Sequence, residues 1–202
     1  MAGKTKVMGK AWAESLRLEN IACHRQTLQS LLGENKTCTF EIGCGHGHWL
    51  AAYAQQHPEE FCLGIDLITD RIEKCQRKKT KQKITNIGFI KAEASELMDA
   101  LSSEITFTKI FILYPDPWPK KRHHKNRFIQ TENLTRLANH STIGAKLHFR
   151  TDDENYFEWT LAELKKHPQW RILNEAVWPF ETETFFEKIL KAKRDIVAEK
   201  IL

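Results

Sequence analysis

The sequence predicts an α/β fold, a mostly parallel sheet with helices on both faces. Three observations carry this. Short apolar segments alternate with helical ones along most of the chain, which is the pattern of βαβ units. A glycine-rich turn, Gly43-Cys44-Gly45-His46-Gly47, follows the first apolar segment directly, at the end of the sheet where such folds bind their ligands. The 202 residues suffice for one domain of this kind with a full core and are too few for two ordinary domains.

The elements follow in order. Residues 11–32 read as an N-terminal helix, with Trp12, Leu16, Ile21, Leu28, Leu31 and Leu32 as its apolar positions, and Gly33-Glu34-Asn35 ends it. Strands are expected at 37–42, 61–67, 87–92, 110–114, 146–150 and 170–177. Helices are expected at 47–57, 69–83, 95–101, 128–140 and 154–167. Pro58 and Pro168 close two of these helices, and Pro115 stops the fourth strand. The chain thus divides into a helical segment, 1–36, and a sheet domain, 37–202.

Composition narrows the class. The chain is 41% hydrophobic and 28% charged, a globular and not a disordered balance. No apolar run approaches the ~18 residues of a membrane helix, and no apolar stretch follows the basic start, so neither membrane span nor signal peptide is expected. Five cysteines, an odd number without C-x-x-C spacing, suit a reducing compartment, and a cytoplasmic location is expected. The nine histidines lack zinc-site spacing, so no metal site is expected. The net charge of +5 is modest but unevenly spread.

The glycine turn does not fit a dinucleotide cradle. Counting from Gly43, the third glycine of G-x-G-x-x-G falls on His48, whereas Gly47 comes one residue early. G-x-G-x-G is the form met in S-adenosylmethionine (SAM) methyltransferases; a plain tight βα turn is the alternative. Carboxylates stand around three strand ends. Asp66 closes the second strand and can accept both ribose hydroxyls of an adenosyl group. Glu93 follows the third strand, facing an adenine amine or serving as a helix N-terminal acid. Glu41, just before the glycines, can face the amino end of a methionine moiety.

The fourth strand runs into Tyr114-Pro115-Asp116-Pro117-Trp118-Pro119. Alternating prolines predict a stiff, extended backbone. An acid held rigidly beside an aromatic suits a purine edge, against a proline-rich loop with a solvated Asp116. Lys120-Lys121-Arg122-His123-His124-Lys125-Asn126-Arg127 follows directly. A basic loop at the mouth of a site neutralises nucleic-acid phosphates, although charge runs are often only solvated faces. The helix expected at 69–83 adds Arg71, Lys74, Arg77, Lys78, Lys79, Lys81 and Lys83, either a second patch or a solvated face. Asp152, after the fifth strand, reads as a substrate contact or as a helix cap. Thr184-Phe185-Phe186-Glu187 has the form of a capping box.

Taken together these residues resemble the tRNA (guanine-N7-)-methyltransferase family of the bacterial TrmB type, over about residues 37–200. The most specific piece is P-D-P-W-P-K with the R-H-H-K-N-R run; E-I-G-x-G-x-G, G-I-D, A-E-A, T-D and T-x-F-E also match. The resemblance implies a Rossmann-like class I SAM-dependent methyltransferase fold of seven strands, the last antiparallel and within 195–202. It implies SAM as cofactor and tRNA as partner, with methylation at N7 of a guanosine, usually at position 46 of the variable loop. Glu41, Gly43, Gly45, Asp66 and Glu93 match SAM contacts. Asp116 matches the active-site acid and joins the cofactor contacts. Lys120, Asp152, Thr184 and Glu187 match substrate contacts. Arg122, His123, His124, Lys125 and Arg127 match RNA contacts. No obligatory protein partner is expected, and the chain is read as a monomer or homodimer. Two positions depart: Glu93 stands where the family usually has Asp, and Asn126 where a basic residue is common. The rival readings are an adenine amino-methyltransferase, which would carry a second proline where Trp118 stands, and a non-catalytic RNA-binding relative.

Overall fold

The computed structural model describes residues 2–181 and 193–202, with side chains from residue 9. Its sheet has seven strands: β1 (Thr37–Ile42), β2 (Cys62–Asp66), β3 (Ile87–Lys91), β4 (Thr106–Leu113), β5 (Ser141–Thr151), β6 (Trp170–Ile172) and β7 (Arg194–Lys200). The helices are α1 (Ala2–Leu32), α2 (His48–Gln56), α3 (Thr69–Gln82), α4 (Ala94–Ala100), α5 (Thr131–Asn139) and α6 (Glu154–Lys166), with a 3-10 helix at Lys121–Asn126.

The strand order is β3-β2-β1-β4-β5-β7-β6. Strands β1 to β5 pair in parallel, and β7 runs antiparallel to both β5 and β6. Chain order reverses between β1 and β4. That switch point opens a crevice beyond the C-terminal strand ends, the place where open α/β sheets take ligands.

Both faces of the sheet are covered, which is why its strands read as apolar runs. On one face Phe40, Leu63, Ile65, Ile110, Ile112, Leu147 and Phe149 pack against α1, α4, α5 and α6. On the other, Cys62, Ile87, Phe89 and Phe111 pack against α2, α3 and Phe180. A fully buried Leu, Ile or Phe stabilises by ~1.5–3 kcal/mol before chain entropy is counted, so this two-sided core fixes the strand ends that form the site.

Several boundaries differ from the sequence reading. Helix α1 starts at Ala2, not at residue 11, and its buried positions among the described side chains lie toward its C-terminal end. Ile21, Leu28 and Leu32 are buried, whereas Trp12 and Leu16 remain 68% and 41% exposed. Gly88 lets the end of α1 close on β3, since a Cβ there would lie 2.2 Å from a Leu31 methyl. Strand β4 begins at Thr106, held by Phe107 stacked 4.6 Å from Phe40. Strand β5 starts at Ser141, and β6 stops at Ile172. Helix α5 spans Thr131–Asn139, shorter than expected. No helix among the described residues is long and apolar enough to cross a membrane.

Candidate active site

The glycine turn sits at the C-terminal end of β1, against β2. Gly43 N and Cys44 N both donate to Ile65 O, at 2.9 and 2.8 Å. Gly43 and Gly45 take φ of 75° and 55°, which side chains rarely adopt. A Cβ on either would meet nothing within 4 Å, so the turn faces open space. Gly47 does a different job: its Cβ would lie 2.8 Å from Cys75 Sγ, so it brings α2 and α3 together. The early third glycine is thus a packing position.

Glu41 and Asp66 share one face of the sheet, because Glu41 pairs with Gly64, two residues before Asp66. Glu41 is 3% exposed, and its Oε2 is buried without a hydrogen-bond partner among the described residues. Burial foremost, then Cys75 and Asp66, pushes its pKa up to about 8 against the opposing charge of Lys78. Asp66 accepts from Gly45 N (3.0 Å), Ile68 N (2.9 Å) and Arg71 Nη1 (3.2 Å). It holds the glycine turn as well as facing the crevice.

Glu93 lies next along, since Ala92 N donates to Asp66 O at 3.2 Å. Its Oε2 caps α4, accepting from Ser95 N (2.9 Å) and Glu96 N (3.1 Å). The capping alternative for Glu93 is therefore present in the structure. Leu67 and Ile68, which the sequence reading did not single out, are 65% and 46% exposed beside Asp66. The signal was there: two aliphatic residues past the strand's last buried position, ahead of a polar helix.

Asp116 stands exposed on the loop after β4. The loop is not extended throughout, as the prolines had suggested. Tyr114 and Trp118 take φ of 49° and 47°, left-handed values that cost about 1–3 kcal/mol each outside glycine. Tertiary bonds hold the shape. Tyr114 N donates to Arg150 O at 2.8 Å, and Arg127 Nε donates to Pro117 O at 2.9 Å.

Arg127 corrects the sequence reading. Expected as an RNA contact, it is 1% exposed. Its Nη2 donates to Asn155 Oδ1 at 2.8 Å, and its guanidinium lies 4.9 and 5.3 Å from the Tyr156 and Trp159 ring centres. It ties the Asp116 loop to α6. His124 is half-buried, edge-on to Trp159 at 5.5 Å. Lys120, Arg122 and Lys125 are exposed, and His123 is half-buried, edge-on to Trp118 at 5.9 Å.

Asp152 is exposed at the end of β5, and its capping alternative falls away: Asp153 caps α6, accepting from Tyr156 N at 2.6 Å. Thr184 and Glu187 lie outside the described residues. Residues on either side of that segment converge on Arg150, which is buried on β5. Arg150 donates to Asp195 (2.6 and 2.8 Å) and Glu181 (2.9 and 2.8 Å), with Trp178 stacked at 4.0 Å. Burial works against its charge, but the two carboxylates raise its pKa above the ordinary value.

Comparison with known proteins fits this geometry. A family model described as "Putative methyltransferase" matches residues 35–197. The tRNA (guanine-N(7)-)-methyltransferase of Roseobacter denitrificans is 34% identical over 173 residues, 81% of this chain and 71% of its own length. The chain belongs to the tRNA (guanine-N7-)-methyltransferase family. The member from Magnetococcus marinus is 36% identical over 135 residues, 67% of this chain and 53% of its own length. Against the first curated family relatives the chain spans about half to two thirds of their length, 53%, 64% and 62% in three of them. Among solved structures, the aminoglycoside resistance methyltransferase NpmB1 aligns with a TM-score of 0.59 at 16% identity, over 88% of this chain and 93% of its own. The antibiotic-resistance methyltransferase Kmr aligns at 0.58 and 20%, with the same coverage. At such identities the likeness is one of fold, and the fold is that of the class I methyltransferases.

Proposed function

We propose that this family member transfers a methyl group from SAM to N7 of a guanine in tRNA, with position 46 of the variable loop as the target. One observation carries the cofactor reading: a buried carboxylate oxygen on Glu41, without a partner among the described residues, at the edge of a glycine turn that faces open space. A buried acid of this kind calls for a cation, and SAM brings an ammonium group. Asp66 would take the ribose hydroxyls. Leu67 and Ile68 would offer apolar surface to the adenine, with Glu93 near its amino edge. When bound, SAM supplies an electrophilic methyl on a sulfonium.

The chain's own residues then position the acceptor. Guanine N7 carries a lone pair and no proton, so no general base is required. What the reaction develops is positive charge on the purine. Asp116, on a loop pinned by Arg127 and Arg150 O, would hold the purine edge and stabilise that charge. Lys120, Arg122 and Lys125 stand exposed next to it for backbone phosphates. Asp152, Thr184 and Glu187 complete the proposed substrate contacts.

Incubation with methyl-labelled SAM and unmodified tRNA, followed by nucleoside analysis, tests the proposal. Label in 7-methylguanosine supports it. Label in an N6-methyladenosine, or none while tRNA still binds, selects one of the two rival readings instead.

A further inference from the structure

Helix α3 carries no residue assigned above to SAM or to the guanine, yet it holds the chain's charge imbalance. Residues 69–83 contain Arg71, Lys74, Arg77, Lys78, Lys79, Lys81 and Lys83 against Asp70 and Glu73, a net +5 that equals the +5 of the whole chain. Outside this one helix and its cap, acids and bases cancel.

The charge is directional. At 100° per residue, Arg71, Lys74, Arg77, Lys78 and Lys81 fall within an arc of about 120°. Lys74, Arg77 and Lys81 are exposed, while Ile72 and Cys75 are buried on the inner side. Lys74 and Arg77 make ion pairs with Asp70 (2.7 Å) and Glu73 (3.9 Å) along the helix. Solvated pairs of that kind hold little energy and yield readily to a competing anion.

The arc also runs along the rim of the site. Arg71 reaches Asp66 at 3.2 Å, and Lys78 Nζ donates to His46 O of the glycine turn at 3.0 Å. The stripe is thus tied at two points to the mouth where the cofactor enters. A membrane surface is the poorer match, because the outward face of α3 presents no apolar residue to insert.

We propose that the α3 stripe is a second phosphate-binding surface, which grips the tRNA backbone away from the methylated loop. This rests on the reading of the chain as a tRNA methyltransferase. The stripe spans about 15 Å from Arg71 to Lys81 at 1.5 Å per residue, room for two or three successive phosphates. It acts on affinity and not on the methyl-transfer step.

The test is the triple variant Lys74→Gln, Arg77→Gln and Lys81→Gln, which keeps good helix formers on an exposed face. Binding of full-length tRNA is measured across a salt series, alongside methylation kinetics and SAM affinity. The expected result is a salt slope shallower by about 2–3, at about 0.7–0.9 for each phosphate no longer neutralised. KM for tRNA rises at least tenfold, with kcat and SAM affinity unchanged. A salt slope equal to that of the unaltered protein overturns the proposal. So does a loss confined to SAM affinity, which would make the stripe part of the cofactor site. If the unaltered protein does not methylate tRNA at guanine N7, the functional reading fails by itself; the slope comparison still decides whether α3 grips RNA.

Discussion

Glu41 gives the sharpest consequence of the site, because its carboxyl is buried and its pKa stands at about 8. At pH 7 it is mostly protonated, about ten to one, and pairing with a ligand ammonium requires the proton to leave. That step costs on the order of 1 kcal/mol at pH 7 and nothing well above pH 8. Relative to a Glu41→Gln variant, SAM affinity therefore gains about ninefold from pH 6 to 7 and about fivefold from pH 7 to 8, then levels. Glu41→Gln keeps the shape and removes the titration. Calorimetry at pH 7 in buffers of different ionisation heat counts the protons released on binding. The ligand's own ammonium titration is common to both proteins and cancels in their difference. The difference should be nearly one proton, and the variant should bind SAM more weakly at pH 8. Stability follows with the opposite sign. The unfolded group loses its proton near 4.5 and the folded one near 8, so rising pH favours the unfolded chain between those values. At about 1.4 kcal/mol per pH unit the cost reaches ~5 kcal/mol above pH 8. The ligand-free protein should thus lose Tm from pH 5 to 8 while Glu41→Gln loses much less. Equal proton release together with equal Tm profiles would refute the reasoning.

Three further outcomes are expected. Asp116→Asn keeps shape and removes charge; single-turnover methylation at saturating tRNA should slow by about 2–4 kcal/mol, or 30- to 1000-fold, with SAM affinity little changed, and a full rate would reduce Asp116 to a wall of the pocket. Asp66→Ala should weaken SAM binding by about 1.5–3 kcal/mol, read by calorimetry, and an unchanged affinity would remove Asp66 from the site. Arg127→Ala leaves Pro117 O and Asn155 without their donor; thermal unfolding should show a loss of about 1–3 kcal/mol, whereas an unchanged Tm with weakened tRNA binding would restore Arg127 to the RNA surface.

The sheet was legible because its strands are covered on both faces and announce themselves as apolar runs ended by glycine, proline or acid. The antiparallel last strand came from the family resemblance alone. Strand ends such as Thr106–Lys109 were missed, because alternating polar residues look like loop until Phe107 meets Phe40 across the sheet. In the site, Glu41, the glycines and Asp66 were legible as a group, since one βα turn and its parallel neighbour bring them together. Arg127 was not. In sequence it is the last of a basic run, and only the aromatic rings of Tyr156 and Trp159 on α6 draw it inward. The bend around Asp116 was hidden for a similar reason: prolines fix their own φ, while the left-handed turn at Tyr114 is held by distant Arg150 O and the one at Trp118 lies beside the bond from the Arg127 side chain to Pro117 O.

The central claim is methyl transfer to guanine N7 in tRNA, and its chemical signature can be read at nucleotide resolution. Methylation at N7 leaves the purine cationic and open to borohydride reduction, after which aniline cleaves the chain at that nucleotide. Unmodified tRNA treated with this protein and SAM should show one new cleavage, at the variable-loop guanosine, and none when SAM is omitted. Labelled methyl incorporated into tRNA without any new cleavage would contradict the account.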